Sequence, residues 1–175
     1  KVPKYLEPLL VNKIHQSIVK TQRYRLESGL ALGEITTGRT VTVTEGKVWV
    51  GAVPYTLEAF DSSVHNIFFL SRTGSTWNAP TIVHQNNNTQ YNDATGLHNV
   101  GPNKYVVNFI YRGVEIENES YMVLGQGNYS LLEAQGSIPP ANLPPLITSH
   151  TILVGRIIVE STLNVAYQID SIFSA

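Results

Sequence analysis

The ten residues Thr151-Ile-Leu-Val-Gly-Arg-Ile-Ile-Val-Glu160 constrain the fold more than any other stretch. They are apolar on both faces of an extended chain, so neither face is suited to water. Such a strand belongs in the middle of a sheet, with neighbours on both edges and layers on both sides. Other short β-type runs supply those neighbours. Val41 and Val43 alternate with threonines, Val48 and Val50 flank Trp49, and Glu45-Gly46 turns between the two runs. Val53-Pro-Tyr-Thr-Leu57 begins another strand, whose proline marks an edge or a start. Asn66–Ser71, Pro80–Val83, Val106–Tyr111, Tyr121–Leu124 and Val165–Ile169 read as strands, and Ile172-Phe173 closes the chain. Arg72–Asn78 has turn composition, Arg112-Gly113 reads as a turn into Val114–Ile116, and Asn118–Ser120 turns again. Strands this short and this regularly spaced predict an all-β fold, mainly an antiparallel sandwich or barrel.

Two segments depart from the β pattern. Leu10, Val11, Ile14 and Ile18 recur at helical spacing, which predicts an amphipathic helix ending before Ser28-Gly29. The chain thus divides into a helical appendage over 1–28 and a β-rich domain over 29–175. Val11, Ile14 and Ile18 fit successive a, d and a positions of a coiled coil; over so few turns, packing on the parent domain is the favoured alternative. A second, short helix is expected near residues 130–135. Ser130-Leu-Leu-Glu133 is a capping box, and Gly136 stands where a left-handed residue would stop the helix. Pro139-Pro140 and Pro144-Pro145 then predict an extended, polyproline-like path.

No local pattern encodes chemistry. The chain has no cysteine, and its five histidines lack H-x-H or H-E-x-x-H spacing, so no metal site is predicted. His84 and His98 flank the most polar stretch and are read as structural. There is no G-x-S-x-G elbow. Gly125-Gln-Gly127 lacks the further glycine and Lys-Ser/Thr pair of a phosphate loop, so no nucleotide or other cofactor is expected. Glu115, Glu117 and Glu119 would share one face of a strand, which fits a solvated edge better than a glycosidase pair. Charged residues are 14% of the chain against ~25% in an average domain, with a net charge of −1. A neutral polar surface of that kind excludes nucleic acid as a natural partner. No run approaches the ~18 apolar residues of a membrane helix, so no membrane insertion is expected.

The segment Trp77–Asn99 is the candidate for binding. Asn78, His84, Gln85, Asn86, Asn87, Asn88 and Asn92 crowd into it, with Trp77 and Tyr91 among them. Planar amides present a donor beside an acceptor, which suits paired sugar hydroxyls. Trp and Tyr rings offer platforms for sugar C–H faces. The alternative is an Asn-rich loop whose side chains hydrogen-bond their own backbone. Tyr111 and Arg112, at the next turn, are the second candidates.

From about Asn66 to Phe173 the chain resembles the C-terminal head, or receptor-binding, domain of bacteriophage tail-fibre proteins and related viral fibres. The residues that carry the resemblance are Tyr91-Asn92, Gly96-Leu97, Tyr105–Tyr111, Tyr121–Tyr129, Glu133-Ala-Gln135, Pro139-Pro140, Leu143-Pro144 and Val154–Val159. It implies a homotrimer on the virion surface that binds a host cell-surface glycan or protein without catalysis. Residues 1–28 would then be a shaft junction. A structural trimerisation cap and a surface-polysaccharide depolymerase are the alternative readings.

Overall fold

The computed structural model describes residues 24–35, 38–114 and 119–172. The fold is all-β, with two short helices among the described residues. Its spine is a six-stranded sheet built from β7 (Ile67–Leu70), β10 (Thr81–Val83), β13 (Tyr105–Gly113), β14 (Ser120–Leu124), β15 (Thr151–Glu160) and β16 (Ala166–Ser171). Their order across the sheet is β10-β7-β14-β13-β15-β16. All neighbours are antiparallel except β7 and β14, which run parallel with Ser120 opposite Ile67.

As its composition requires, β15 is an interior strand. Val154, Ile157 and Val159 enter one apolar cluster, while Ile158 and Leu153 enter the other. Gly155 is the exception that lets β16 close on it: a Cβ there would lie 2.3 Å from the Asp170 carbonyl oxygen. β13 divides its side chains in the same way, Val106 and Ile110 to one side and Val107, Phe109 and Tyr111 to the other.

Two small sheets cover the first face. One pairs β1 (Tyr24–Gly29), β4 (Gly46–Val50) and β5 (Val53–Leu57); the other pairs β2 (Leu32–Ile35), β3 (Thr40–Val43) and β6 (Phe60–Asp61). Leu32, Val41, Val43, Val48, Leu57 and Phe60 pack from them against Ile67, Ile110 and Met122. This is sheet-on-sheet packing of the predicted sandwich type. Pro54 does lie on an edge strand, since β5 ends its sheet. Two hairpins complete the β structure: β8 (Arg72–Thr73) with β9 (Thr76–Trp77), and β11 (Gln90–Asp93) with β12 (Gly96–Asn99).

The second face is covered by α1 (Leu131–Gly136), α2 (Pro145–His150) and the chain between them. Ala134, Leu143, Leu146 and Ile147 pack beneath this cover against Val107, Phe109 and Ile158. The Ser130 cap forms as expected: the Glu133 carboxylate accepts from the Ser130 N–H at 2.8 Å and from its hydroxyl at 2.7 Å. Those bonds hold the Glu133 carboxyl below its ordinary range.

Four expectations are corrected. Gly136 is the last helical residue, and Ser137 ends the helix by returning its hydroxyl to the Ala134 carbonyl at 2.7 Å. Pro144-Pro145 does not continue an extended path: Pro144 caps α2 and Pro145 takes its first turn, where a missing N–H does no harm. Arg112 and Gly113 belong to β13, with Arg112 opposite Ser120. Tyr24–Ser28, placed in the helical appendage, is strand β1 and pairs with β4, so β structure begins ahead of residue 29. The rest of the N-terminal helix reading, with Leu10, Val11, Ile14 and Ile18, lies outside the described residues.

Candidate functional site

On the sandwich face of the main sheet the chain between β10 and β11 walls a cleft of about 580 Å³. Arg39, His84, Gln85, Asn86, Asn87, Asn88, Thr89 and Gln90 supply its polar lining, and Phe69, Val83 and Met122 its apolar one. Met122 and Phe69 face each other across the parallel β14–β7 pair.

The residues of His84–Asn88 are tied to several distant parts of the fold. The His84 carbonyl accepts the Ser62 hydroxyl at 2.6 Å, and its ring Nδ1 lies 3.0 Å from the Ser62 carbonyl. A carbonyl oxygen only accepts, so Nδ1 carries the proton and Nε2 of the neutral ring is an acceptor. Arg39 donates to the Asn86 carbonyl at 2.8 Å and to Gln85 Oε1 at 3.1 Å, and its own carbonyl accepts the Asn86 N–H. Asn87 is clasped by Asn108. The Asn108 amide accepts the Asn87 N–H and donates to the Asn87 carbonyl, both at 2.8 Å, so a side chain stands in for a neighbouring strand. Asn92 repeats the device on Arg72, at 2.7 and 2.8 Å. Asn88 Nδ2 donates to the Leu163 carbonyl at 2.9 Å. The Asn87 side chain accepts from the Thr89 and Gln90 N–H groups, closing an Asx turn.

The amides therefore build the loop, as the second reading of this segment has it, and His84–Gln90 also line the cleft. Asn86 is 1% exposed. Its Nδ2 donates to the Glu34 carboxylate, whose other oxygen accepts the Ala166 N–H at 2.7 Å. Its Oδ1 is buried with no hydrogen-bond partner among the described residues. Arg39 has φ 55, a left-handed conformation that disfavours a side chain by roughly 1–2 kcal/mol. The hydrogen bonds to Gln85 and Asn86 hold it there. Burial lowers the Arg39 pKa, and the nearby Glu34 charge opposes that shift.

The remaining expected site residues go elsewhere. Trp77 packs on the second apolar cluster and donates its indole N–H to the Asn142 carbonyl at 2.9 Å. Asn78 is exposed and bonds Ser71. Tyr91 stacks on His98 across the β11–β12 hairpin, with ring centroids 5.4 Å apart. Tyr111 and Arg112 are 5% and 1% exposed, which corrects their reading as surface candidates. Arg112 donates to the Glu58 and Glu119 carbonyls and to the Ser120 hydroxyl, and lies 5.0 Å over the Phe60 ring. Burial lowers its pKa to about 10, against the pull of Glu58. Its work is in the core.

The sequence reading passed over Arg39 and Asn108. Asn108 had a visible signal, a lone amide inside an apolar strand. Arg39 had a weaker one, a charged residue directly after a turn glycine.

Among the described residues, Thr95, Asp93 and His98 form a cluster that lacks relay geometry. Thr95 Oγ1 and Asp93 Oδ1 lie 2.7 and 3.1 Å from the same His98 nitrogen, Nε2. A relay needs the nucleophile and the orienting carboxylate on opposite nitrogens of the imidazole base. The cluster instead closes the β11–β12 turn, and the Thr95 hydrogen bonds depress the Asp93 pKa. No three His, Asp or Glu gather into a metal site among the described residues, and none of their helices is long and apolar enough to cross a membrane. Compared with family models, with curated proteins and with solved structures, the chain finds no match, so its function is to be argued from the cleft.

Proposed function

We propose that the chain is the receptor-binding head of a viral fibre, exposed on the virion, and that the His84–Gln90 cleft holds a host cell-surface glycan without turning it over. The observation that carries this reading is the cleft itself. A rigidly anchored loop there presents unspent amide, imidazole and guanidinium groups beside an apolar floor, with no carboxylic acid among the described residues of the lining. Binding sites combine a few fixed polar groups with apolar surface in this way. Glycan hydrolysis normally needs two carboxyl groups flanking the bond. The order of elements that resembles phage fibre heads adds support.

In that setting the molecule works as a homotrimer. Leu132, Ile138 and Ile172, 80%, 78% and 55% exposed, are large apolar side chains that a neighbouring copy would cover. Light scattering tests assembly. Adsorption to host cells and a glycan array test binding, using Gln85→Ala and His84→Ala in exposed side chains of the cleft. Loss of adsorption with an unchanged melting curve is expected. Unchanged adsorption in both variants, or release of reducing ends from host polysaccharide, would overturn the reading.

A further inference from the structure

We propose that the cleft selects an uncharged sugar residue, read at its hydroxyls, and rejects sugars that carry a carboxylate. This rests on the reading of the cleft as a glycan site and follows from which hydrogen-bonding capacity the loop leaves over.

Among the described residues of the lining, Arg39 alone carries a permanent charge. Clefts that recognise carboxylates usually offer a guanidinium as a two-pronged fork. Here the two terminal nitrogens are already engaged, one by the Asn86 carbonyl and the other by Gln85 Oε1. Each keeps a single N–H, enough for a hydroxyl oxygen. The charge itself is offset nearby by Glu34, which acts on Arg39 and binds the Asn86 amide.

The rest of the inventory points the same way. Ser62 fixes Nδ1 of His84 as the donor, so Nε2 of the neutral ring accepts. Leu163 engages Nδ2 of Asn88, which leaves Oδ1 as an acceptor. Glu34 engages Nδ2 of Asn86, and its buried Oδ1 lacks a donor. Gln85 spends Oε1 on Arg39 and keeps its NH₂. The lining thus holds both acceptors and donors. A hydroxyl both donates and accepts, so it is served by either kind of group. A carboxylate only accepts, and would set its charge against Nε2 of the neutral His84 ring and the Asn88 amide oxygen; discrimination then comes from repulsion as much as attraction. Phe69, Val83 and Met122 offer the C–H face of a pyranose an apolar surface, with no charged group among them.

The experiment is titration of the intact protein with matched oligosaccharides, neutral hexose oligomers against the same linkages oxidised to uronic acids, at low and high salt. Binding is expected for neutral oligomers only, with affinity insensitive to salt. Gln85→Ala and His84→Ala should each weaken it about three- to tenfold, the scale of one lost hydrogen bond. If uronates bind instead, weaken with salt, and lose affinity in the same variants, the neutral-sugar inference fails while the glycan site stands. If neither series binds, or the variants leave binding unchanged, the glycan site itself fails. Melting curves identify any variant that misfolds; for such a position, Gln85→Glu or His84→Gln takes its place.

Discussion

Replacing Asn108 by alanine tests how the cleft loop is held. Asn108 is fully buried in β13, and its amide satisfies both backbone groups of Asn87. Alanine leaves that N–H and that C=O without partners. An unsatisfied buried backbone group costs about 1–3 kcal/mol; Asn87 is only half-buried, so the low end applies, or about 2 kcal/mol for the pair. The gap left in the strand adds about 1 kcal/mol. The sum of about 3 kcal/mol corresponds to a fall in Tm of about 6–12 °C for a chain of this size. Calorimetry measures the fall, and hydrogen exchange should show the Asn87 amide passing from slow to fast. Asn108→Asp sharpens the test. One carboxylate oxygen keeps the Asn87 N–H, but the other faces the Asn87 carbonyl without donor or solvent, so the folded pKa rises above its unfolded value. The sign follows: this variant is most stable below the unfolded pKa, where the protonated acid can donate, and loses stability as pH rises through the folded pKa. If Asn108→Ala melts within about 2 °C of the parent, the clasp contributes nothing and the reasoning fails.

Arg112→Ala should cost about 3–5 kcal/mol, because Glu58, Glu119 and Ser120 lose a buried donor, while Arg112→Met should cost less; urea denaturation measures both. Trp77→Ala should lower stability by about 2 kcal/mol, since a half-buried indole leaves the second apolar cluster, yet leave glycan affinity unchanged; reduced affinity in a folded variant would return Trp77 to the site. Ser130→Ala should cost about 1 kcal/mol without affecting binding, as checked by thermal melting beside titration. The depressed Asp93 pKa implies that the β11–β12 hairpin keeps its turn contacts above the carboxylate range and loses them as pH falls through the folded pKa. The His98 ring signals in NMR should report the change, and Asp93→Asn should abolish it.

How far the sequence disclosed this structure varied with the range of the interactions involved. Thr151–Glu160 announced itself as interior because its own side chains demand cover on both faces. The Ser130–Glu133 cap was visible because both partners lie within one turn. The parallel pairing of β7 with β14 was not, because aliphatic runs state that they need a neighbour without naming it. Pro144-Pro145 was locally ambiguous, since proline suits both an extended chain and a helix start, and the packing of Leu146 and Ile147 beneath the sheet decided for the helix. Arg112 was misread because the glycine after it looks like a turn. Its buried surroundings come from Glu58 and Phe60, more than fifty positions away in the chain. At the candidate cleft the amide-rich composition was legible. The division of each amide into an anchored half and a free half depends on Ser62, Arg39, Asn108 and Leu163, and no local pattern records it.

That division bears on how such a surface can change over time. The foot of the loop is fastened at Asn87 and His84 by Asn108 and Ser62, both buried, whereas Gln85 and Thr89 at its tip are exposed. Substitutions at the tip leave the core packing untouched, so they fall among the changes a fold tolerates at little thermodynamic penalty. A lineage carrying this scaffold can therefore vary the exposed chemistry of the cleft by drift at a few tip positions, while changes at Asn108 and Ser62 are opposed by folding.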